Sequence, residues 1–421
     1  MKHIVIIGGG FGGISLVKNL AGSKNFNVTL VDRNNYNFFP PLLYQVATGF
    51  LEVSNVSYPY RRLLRKMKNI HFQMADFQSV KLDENKVILS TGELSYDYLV
   101  FATGTSTNYF GMENVRAHAL PMKTLEDALN LRNHLLKQLE LAAVEKDEQT
   151  RQKLLSVVVA GGGPTGVEIS GMLADMRRDI LSKDFPELAT PGRLPQIYLV
   201  DALDSVLKPM SEKSHKYTYK ALLDLGVDVR LNRQVKEYID DTVIFADGTQ
   251  IGTKTLIWAA GVGGTAYEGI PAESYGRGKR MITDPFNRVS GQDNVFAIGD
   301  ISLQLHEQQF PGGHPQMAQI AIQQGENLAG NFLRLLNNQA LSPFAYHDKG
   351  SMAIIGRNKA VVDLPNKVHF QGFIAWFMWL AIHLLSLINY RNKLTTLYNW
   401  GVAYFTRDQS LRMIIRPQKK E

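Results

Sequence analysis

Two glycine clusters, each directly behind a short apolar run, constrain this chain more than any other feature. The first lies at residues 4–13, IVIIGGGFGG, and the second at residues 157–166, VVVAGGGPTG. An apolar run of this length is typical of a buried parallel strand, and a helix-like stretch follows each cluster. Backbone N–H groups at such a strand–turn–helix junction can hold a phosphate. The sequence therefore predicts two phosphate-binding cradles.

The first cradle has the full G-x-G-x-x-G spacing, with Gly8, Gly10 and Gly13. Gly8 makes a tight turn, Gly10 lets the backbone approach a pyrophosphate, and Gly13 lets the helix lie close to the strand. A second apolar strand ends at Asp32, about 20 residues further on, where a carboxylate can accept a hydrogen bond from a ribose hydroxyl. This combination indicates a dinucleotide site rather than glycines in an ordinary turn.

The second cradle repeats this spacing with Gly161, Gly163 and Gly166. Its matching acid is Asp201, at the end of QIYLVD, and the longer interval before it contains a polar, proline-bearing stretch at 177–195. We interpret that stretch as an insertion between helix and strand. An acid at this position favours NAD over NADP, because it would repel a 2′-phosphate.

The composition narrows the chemistry further. The 421 residues include no cysteine, which excludes disulfides, thiolate metal sites, iron–sulfur clusters and redox-active cysteine pairs. The ten histidines lack the spacing of metal ligands, so we expect no metal. Residues 1–3 lead straight into the first strand without the features of a signal peptide, so we expect a cytoplasmic protein. The net charge of +7 suits either nucleic acid or an anionic membrane surface.

The order of these motifs resembles the two-dinucleotide flavoproteins, whose first cradle holds FAD and whose second holds NAD(P)H. Three further stretches fit that pattern: YLVFATGT (98–105), TLIWAAGV (255–262) and NVFAIGD (294–300). The resemblance implies FAD contacts from Thr103 and Gly104, and a hydrogen bond from Asp300 to the ribityl chain. It also implies an α/β fold with two Rossmann-like domains, the NAD domain being inserted into the FAD domain.

The resemblance also implies domain boundaries. We predict an FAD-binding domain at 1–115 and 280–340, an NAD-binding domain at 116–279, and a C-terminal, membrane-associating helical segment at 341–421.

The lack of cysteine bears on the electron acceptor. Disulfide reductases, peroxidases and sulfide-oxidising members of this superfamily use cysteine, so quinone, oxygen or a one-electron carrier protein remains. The loop FFPPLLYQVATG (38–49) closely resembles the flavin-facing loop of type II NADH:quinone oxidoreductases, which implies a flavin contact from Gln45. The stretch KGSMAIIGRNKAVVDL (349–364) resembles the junction to the C-terminal domain of the same family.

The stretch HPQMAQIAIQQGENLAGNFL predicts a helix that starts at Pro315 and directs its positive end toward the flavin. Within it, AQIAIQQ (318–324) matches the quinone-site signature of that family. The resemblance implies that Ala318 contacts the cofactor, and that Gln319 and Gln323 contact the quinone, since an amide can donate to a quinone carbonyl without carrying charge into an apolar pocket. The alternative is a helix whose glutamines face water.

Residues 372–405 are rich in apolar and aromatic side chains. Between 373 and 388 only His383 and one serine are polar, and sixteen residues are few for a span that needs about 20. We predict two helices that lie on or partly in the membrane surface, with Trp376 and Trp379 among the interfacial aromatics. A core helix, a dimer interface and a transmembrane helix are the alternatives. Basic residues follow the first apolar run: Arg391, Lys393, Arg407, Arg412, Arg416, Lys419 and Lys420.

These patterns and the family resemblance together imply an FAD-dependent NADH:quinone oxidoreductase of the respiratory chain, which we expect to be peripheral on the cytoplasmic face of the cell membrane and not to pump protons. Membrane contact explains the basic charge without nucleic acid. We assign Glu168 to positioning the nicotinamide and relaying protons, the alternative being a carboxylate that the helix dipole favours. A soluble NADH oxidase, a carrier-protein reductase and an NAD-sensing flavoprotein remain alternative functions, and a homodimer is left open.

Overall fold

A computed structural model describes residues 1–189, 194–408 and 412–414 of the chain, which divides into two compact units. Unit 1 comprises Met1–Phe38, Tyr58–Ser106 and Val262–Asp348, and unit 2 comprises Phe39–Ser57, Thr107–Gly261 and Lys349–Glu421. Each glycine cluster lies in a unit of its own. The loop at 39–57 and the C-terminal segment belong to the unit of the second cluster, whereas the three-part division by ligand stays a prediction.

Five of the helices in the described residues have fifteen residues or more, namely α6, α8, α11, α12 and α13 in the list that follows. They are α1 (Phe11–Leu20), α2 (Leu43–Ala47), α3 (Val53–Val56), α4 (Tyr60–Leu64), α5 (Glu113–His118), α6 (Leu125–Val144), α7 (Glu148–Leu155), α8 (Pro164–Asp179), α9 (Leu181–Asp184), α10 (Glu212–Asp224), α11 (Ala318–Leu336), α12 (Gly372–Ser386) and α13 (Tyr390–Thr406).

The strands are distributed over both units. They are β1 (Lys2–Ile7), β2 (Phe26–Asp32), β3 (Tyr36–Phe38), β4 (Ser57–Pro59), β5 (Ile70–Met74), β6 (Phe77–Lys81), β7 (Lys86–Leu89), β8 (Gly92–Ser95), β9 (Tyr98–Phe101), β10 (Ser106–Thr107), β11 (Leu120–Pro121), β12 (Ser156–Ala160), β13 (Gln196–Val200), β14 (Asp228–Arg230), β15 (Val235–Ile239), β16 (Thr242–Phe245), β17 (Gln250–Gly252), β18 (Thr255–Trp258), β19 (Val262–Gly263), β20 (Met281–Thr283), β21 (Val295–Ala297), β22 (Ser302–Gln304), β23 (Ser351–Gly356), β24 (Lys359–Asp363) and β25 (His369–Gln371).

Unit 1 is built on a parallel sheet in the order β21-β9-β1-β2-β5. The apolar run at 4–7 is buried at its centre, as a strand with neighbours on both edges requires. Helix α11 packs so closely on α1 that a Cβ added at Gly325 would lie only 2.7 Å from the carbonyl oxygen of Gly12. The Ser15 hydroxyl donates to the carbonyl oxygen of Ile322 at 2.8 Å across the same contact.

Unit 2 repeats the parallel sheet, in the order β11-β18-β12-β13-β14. Its helix α8 packs on an antiparallel sheet, β23-β24-β25, that the sequence did not predict. A Cβ at Gly171 would collide with the carbonyl oxygen of Ile355, and Asp175 accepts a hydrogen bond from the backbone N–H of Arg357 at 3.0 Å. The helix that begins at the second glycine cluster is thus fixed to the C-terminal sheet.

The C-terminal segment contains the two helices that the sequence predicted, α12 and α13. Among the described residues, the structure has no helix both long and apolar enough to cross a membrane. Two parallel α/β units with a C-terminal helical region confirm the predicted fold class.

The contact between α1 and α11 predicts opposite effects for two glycines of α11. Gly325→Ala should destabilise the protein by roughly 1–3 kcal/mol, because the added methyl group meets backbone atoms that cannot move aside. Gly330→Ala should stabilise it by up to about 1 kcal/mol, because open space surrounds that position and alanine favours the helix. Thermal unfolding of both variants measures the difference, and equal melting temperatures would refute the close packing of these helices.

Candidate functional site

The first glycine cluster closes around the end of β1. Gly8 has a φ of +103°, and a Cβ there would collide with the carbonyl oxygen of Ala102. A Cβ at Gly13 would likewise collide with the carbonyl oxygen of Gly8. Gly10, which caps α1, has no atom within 4 Å of the position that its Cβ would occupy. The loop is therefore tight at both ends and open in the middle, where the N-terminus of α1 offers N–H groups to a phosphate.

Asp32, at the end of β2, is held against this loop. Its carboxylate accepts from the N–H of Gly9 at 2.7 Å and from that of Asn34 at 2.8 Å. The Tyr60 hydroxyl lies 2.8 Å from the carbonyl oxygen of Gly9 and 3.3 Å from the carboxylate. Burial raises the pKa of Asp32, and the hydrogen bonds offset part of this rise. The acid therefore lies beside the loop, and its contact with a ribose stays a prediction. Nothing in the sequence indicated the contact that Tyr60 makes here.

The second glycine cluster has the same geometry. Gly161 has a φ of +116°, and a Cβ there would collide with the carbonyl oxygen of Ala259. A Cβ at Gly166 would collide with the carbonyl oxygen of Gly161, as one at Gly13 would with that of Gly8. Gly163, like Gly10, has open space where its Cβ would lie. Each unit thus carries a tight loop with one open position.

Asp201 has the position in unit 2 that Asp32 has in unit 1. Its carboxylate accepts from the N–H of Gly162, in the middle of the loop, and from that of Leu203 at 2.7 Å. A tight loop with one open glycine position and an acid beside it therefore fits a second dinucleotide, as in unit 1. The preference for NAD over NADP stays a prediction.

The stretch after β9 and the NVFAIGD stretch meet in unit 1. The Thr105 hydroxyl donates to Asp300 at 3.3 Å, just beyond Thr103 and Gly104, whose φ is +66°. The N–H of Gly299 donates to the side-chain oxygen of the buried Gln324 at 2.7 Å. The structure therefore brings the predicted flavin residues of this region together. Sequence analysis missed the role of Gln324, whose amide ties the NVFAIGD stretch to α11.

Helix α11 begins at Ala318, so the predicted start at Pro315 is wrong by three residues. The physical reason is the extended backbone of Met317, with a φ of −130° and a ψ of 144°, which separates the proline from the first turn.

Two glutamines of α11 have partners in the segment that follows the helix. Gln323 donates to the carbonyl oxygen of His347 at 2.9 Å and accepts from the N–H of the same residue at 3.0 Å. Gln319 accepts from the Tyr346 hydroxyl at 3.5 Å. Both amides therefore bind protein groups rather than facing water alone, and their contact with a quinone stays a prediction.

Unit 2 contains a buried carboxyl group close to the second glycine cluster. Glu168 is the fifth residue of α8, and its side chain is buried. Burial raises its pKa well above the usual value, and the backbone N–H of Ile354 and the indole of Trp379 lower the pKa only in part. Burial of this kind favours the neutral, protonated form of a carboxyl group. The role of Glu168 at the nicotinamide stays a prediction.

Gln45, in α2, is also buried, with 2% of its surface exposed. Its side-chain nitrogen donates to the Tyr44 hydroxyl at 2.8 Å, and its oxygen accepts from the indole N–H of Trp400 at 2.8 Å. The predicted flavin contact of Gln45 stays a prediction. Trp400 is a residue that sequence analysis missed, because 355 positions separate it from Gln45.

Helices α12 and α13 have one buried and one exposed face. Trp379 is completely buried and stacks on His383, with ring centroids 3.8 Å apart, so its prediction as an interfacial side chain is wrong. Burial lowers the pKa of His383 to about 4. Trp376 is half-buried and stacks on Phe373. Large apolar side chains cover the outer face: Phe373, Ile374, Phe377, Ile382, Leu385, Leu394, Leu397, Tyr398 and Phe405.

The basic residues around these helices are only partly described. Arg391 and Arg407 are exposed, whereas Arg412 pairs with Asp184 and Asp408. The predicted cationic residues near the end of the chain lie outside the described residues: Arg416, Lys419 and Lys420.

Comparison with known proteins covers nearly the whole chain. A family model described as pyridine nucleotide-disulphide oxidoreductase matches residues 2–325, and one described as the NDH2 C-terminal domain matches residues 348–413. The chain is 35% identical to the type II NADH:quinone oxidoreductase NdhA of Mycobacterium tuberculosis, over 96% of this chain and 87% of that protein. It is 30% identical to the external alternative NADH-ubiquinone oxidoreductase of Yarrowia lipolytica, over 97% and 80%.

Solved structures share the fold. NDH2 from Plasmodium falciparum in complex with NADH has a TM-score of 0.88 and 22% identity, covering 99% of this chain and 100% of that one. The sulfide:quinone oxidoreductase of Aquifex aeolicus has a TM-score of 0.73 and 22% identity, covering 96% and 95%. The name of the first family model refers to disulphide chemistry, for which this chain has no cysteine.

The two open glycine positions predict separable losses of ligand. Gly10→Val should yield a folded protein without flavin, because the side chain fits the ligand-free loop but occupies the space of a pyrophosphate. Gly163→Val should keep its flavin and lose NADH binding for the same reason. The visible absorbance of the purified proteins and an NADH titration measure both effects. Normal flavin content in Gly10→Val would contradict the role of the first cradle.

Proposed function

This chain belongs to the type II NADH:quinone oxidoreductases, and from that membership we propose that it oxidises NADH and passes both electrons to a membrane quinone. The membership confirms the resemblance found in the sequence, the enzyme class and FAD as cofactor. The observation that carries the proposal is the pair of equivalent glycine loops, each with its own carboxylate, in a chain without cysteine.

The two loops divide the binding of the two dinucleotides. Bound FAD supplies a ring that accepts a hydride from NADH and returns two electrons to a quinone. The loop at Gly10 and the acid at Asp32 bind FAD, and the loop at Gly163 binds NADH. Asp201 accepts from the NADH ribose and repels the 2′-phosphate of NADPH. The protein contributes mainly orientation, since hydride transfer needs the two rings in contact.

Reduction of a quinone to a quinol also consumes two protons. Burial raises the pKa of Glu168 and so favours the protonated form of its carboxyl group. We assign this group to positioning the nicotinamide and relaying a proton. We assign Gln319 and Gln323 to the quinone. An amide nitrogen carries two N–H groups, so Gln323 can donate to His347 and to a quinone carbonyl at once.

The outer face of α12 and α13 supports attachment to a membrane. Phe373, Ile374 and Phe377 are 56%, 60% and 62% exposed, and side chains of this kind stabilise surface binding when they enter the headgroup region. Arg391 and Arg407 are exposed near the ends of α13 and suit anionic lipid. We place the enzyme at the cytoplasmic face of the membrane, where it reduces quinone of the respiratory chain without pumping protons.

The donor and the acceptor can be tested in one assay. The purified protein should reduce a short-chain quinone with NADH and be much slower with NADPH. Asp201→Asn should narrow the difference by roughly tenfold, which corresponds to about 1.4 kcal/mol, because it removes the charge but keeps an oxygen that accepts from Gly162. Steady-state kinetics with both donors measure this.

Three results would contradict the proposal in different ways. Faster electron transfer to oxygen or to a carrier protein than to quinone would indicate one of the soluble alternatives. Slow turnover with every acceptor, combined with tight NADH binding, would indicate an NAD-sensing flavoprotein. A preference for NADPH would refute the role of Asp201 alone.

The membrane-facing surface predicts which apolar residues matter. Changing Phe373, Ile374 and Phe377 together to Gln should weaken binding to liposomes at least tenfold, since each buried apolar side chain contributes about 1.5–3 kcal/mol. Reduction of a water-soluble acceptor such as ferricyanide should stay normal, and reduction of a long-tailed quinone should slow. Liposome flotation and kinetics measure these effects.

The matched control changes two apolar residues of α6 that are also exposed, Leu141 and Val144, to Gln. It should leave liposome binding unchanged. Equal weakening in both variants would mean that general surface hydrophobicity, rather than the outer face of α12, attaches the protein.

A further inference from the structure

The buried face of α13 holds the loop at 39–57 through side-chain hydrogen bonds. The indole N–H of Trp400 donates to the side-chain oxygen of Gln45 at 2.8 Å. Two amides of the same helix add further bonds: Asn392 donates to the carbonyl oxygen of Ser57 at 3.0 Å, and Asn399 donates to the side-chain oxygen of Asn55 at 3.3 Å. Three residues of α13 therefore bind this loop. None of them belongs to the exposed, apolar face of the helix.

The bond from Trp400 fixes the orientation of the Gln45 amide. The oxygen of Gln45 faces the indole, so its nitrogen faces the Tyr44 hydroxyl and donates to it at 2.8 Å. The side chains of Gln45, Tyr44 and Trp400 are all buried. A buried amide oxygen that loses its donor costs about 1–3 kcal/mol, which would allow the amide to turn over. The order of donors and acceptors from Trp400 to Tyr44 is thus set by one N–H group.

Packing alone does not need an indole at this position. The ring of Trp400 lies 6.0 Å from that of Trp379, a contact that any aromatic ring of similar size could make. Attachment to a membrane does not need it either, because Trp400 is buried on the inner face of α13. The feature that distinguishes Trp400 from phenylalanine here is the N–H group that Gln45 accepts.

We propose that Trp400 is a positioning residue of the quinone-reducing site, which acts by orienting the amide of Gln45. The helix pair to which we assign membrane attachment then has a second task, since the inner face of α13 holds the loop at 39–57. This inference rests on the proposed function, and within it on the participation of the loop at 39–57 in electron transfer to quinone. Hydrogen bonds to the acceptor depend on the direction of such an amide, whereas hydride transfer from NADH does not.

A double-mutant cycle tests the proposal on the full-length holoenzyme. The variants are Trp400→Phe, Gln45→Ala and the combination of both. Trp400→Phe should lower kcat/KM for a short-chain quinone about tenfold, the size expected when a buried acceptor loses its donor. It should leave the reduction of ferricyanide by NADH, the FAD content and liposome binding unchanged. The double variant should be no slower with quinone than Gln45→Ala alone, because Trp400 acts through Gln45.

Trp258→Phe is the matched control for the loss of an indole donor. Trp258 is also buried in unit 2 and donates to the carbonyl oxygen of Asn108 at the same distance, 2.8 Å. Its effect on the melting temperature gives the general cost of removing such a bond. Trp400→Phe should have a similar effect on melting but a separate, selective effect on quinone kinetics.

Three outcomes would overturn the proposal. If Trp400→Phe slows quinone and ferricyanide equally, Trp400 has only a structural role. If its effect persists in full when Gln45 is already alanine, Trp400 acts through another group. If Gln45→Ala leaves quinone kinetics unchanged, the loop has no part in the acceptor site, although NADH:quinone activity itself would then still support the proposed function.

Discussion

In each unit one glycine brings the backbone so close to the neighbouring strand that no side chain fits between them. Gly8 lies against Ala102 in unit 1, and Gly161 lies against Ala259 in unit 2. This approach turns the chain sharply enough for a helix to start at once, so the N–H groups of its first turn point into the loop. The binding of both dinucleotides depends on this contact, because any side chain at these two positions would push the helix away.

The cradles could be predicted because their constraints are local in sequence. A tight turn needs glycine, and a helix and a second apolar strand follow it. The acid where that strand ends accepts from the N–H of the residue after the first glycine of the loop, as Asp32 does with Gly9. The predicted start of α11 was wrong by three residues, because a proline that suits the first turn of a helix also suits the extended segment before it. Which glutamine of that helix would be buried could not be read from a run of amides.

Contacts between distant segments could not be predicted. A helix that is apolar on both faces has no clear period, so the sequence of α12 did not reveal that Trp379 points inward. The bond between Gln45 and Trp400 joins residues that share no pattern, and the sheet β23-β24-β25 appeared in the sequence only as a stretch similar to a known junction. In all three cases tertiary packing decides what local propensity leaves open.

The close packing of α8 on the C-terminal sheet affects how the parts of this protein can be exchanged. Gly171 has no room for a side chain beside Ile355, and Asp175 accepts from the backbone N–H of Arg357. The helix that begins at the second cradle therefore has a surface shaped for one particular sheet. A chimera that takes its C-terminal region from a relative places a different sheet against α8. Such a chimera will fold well only if α8 is taken from that relative as well.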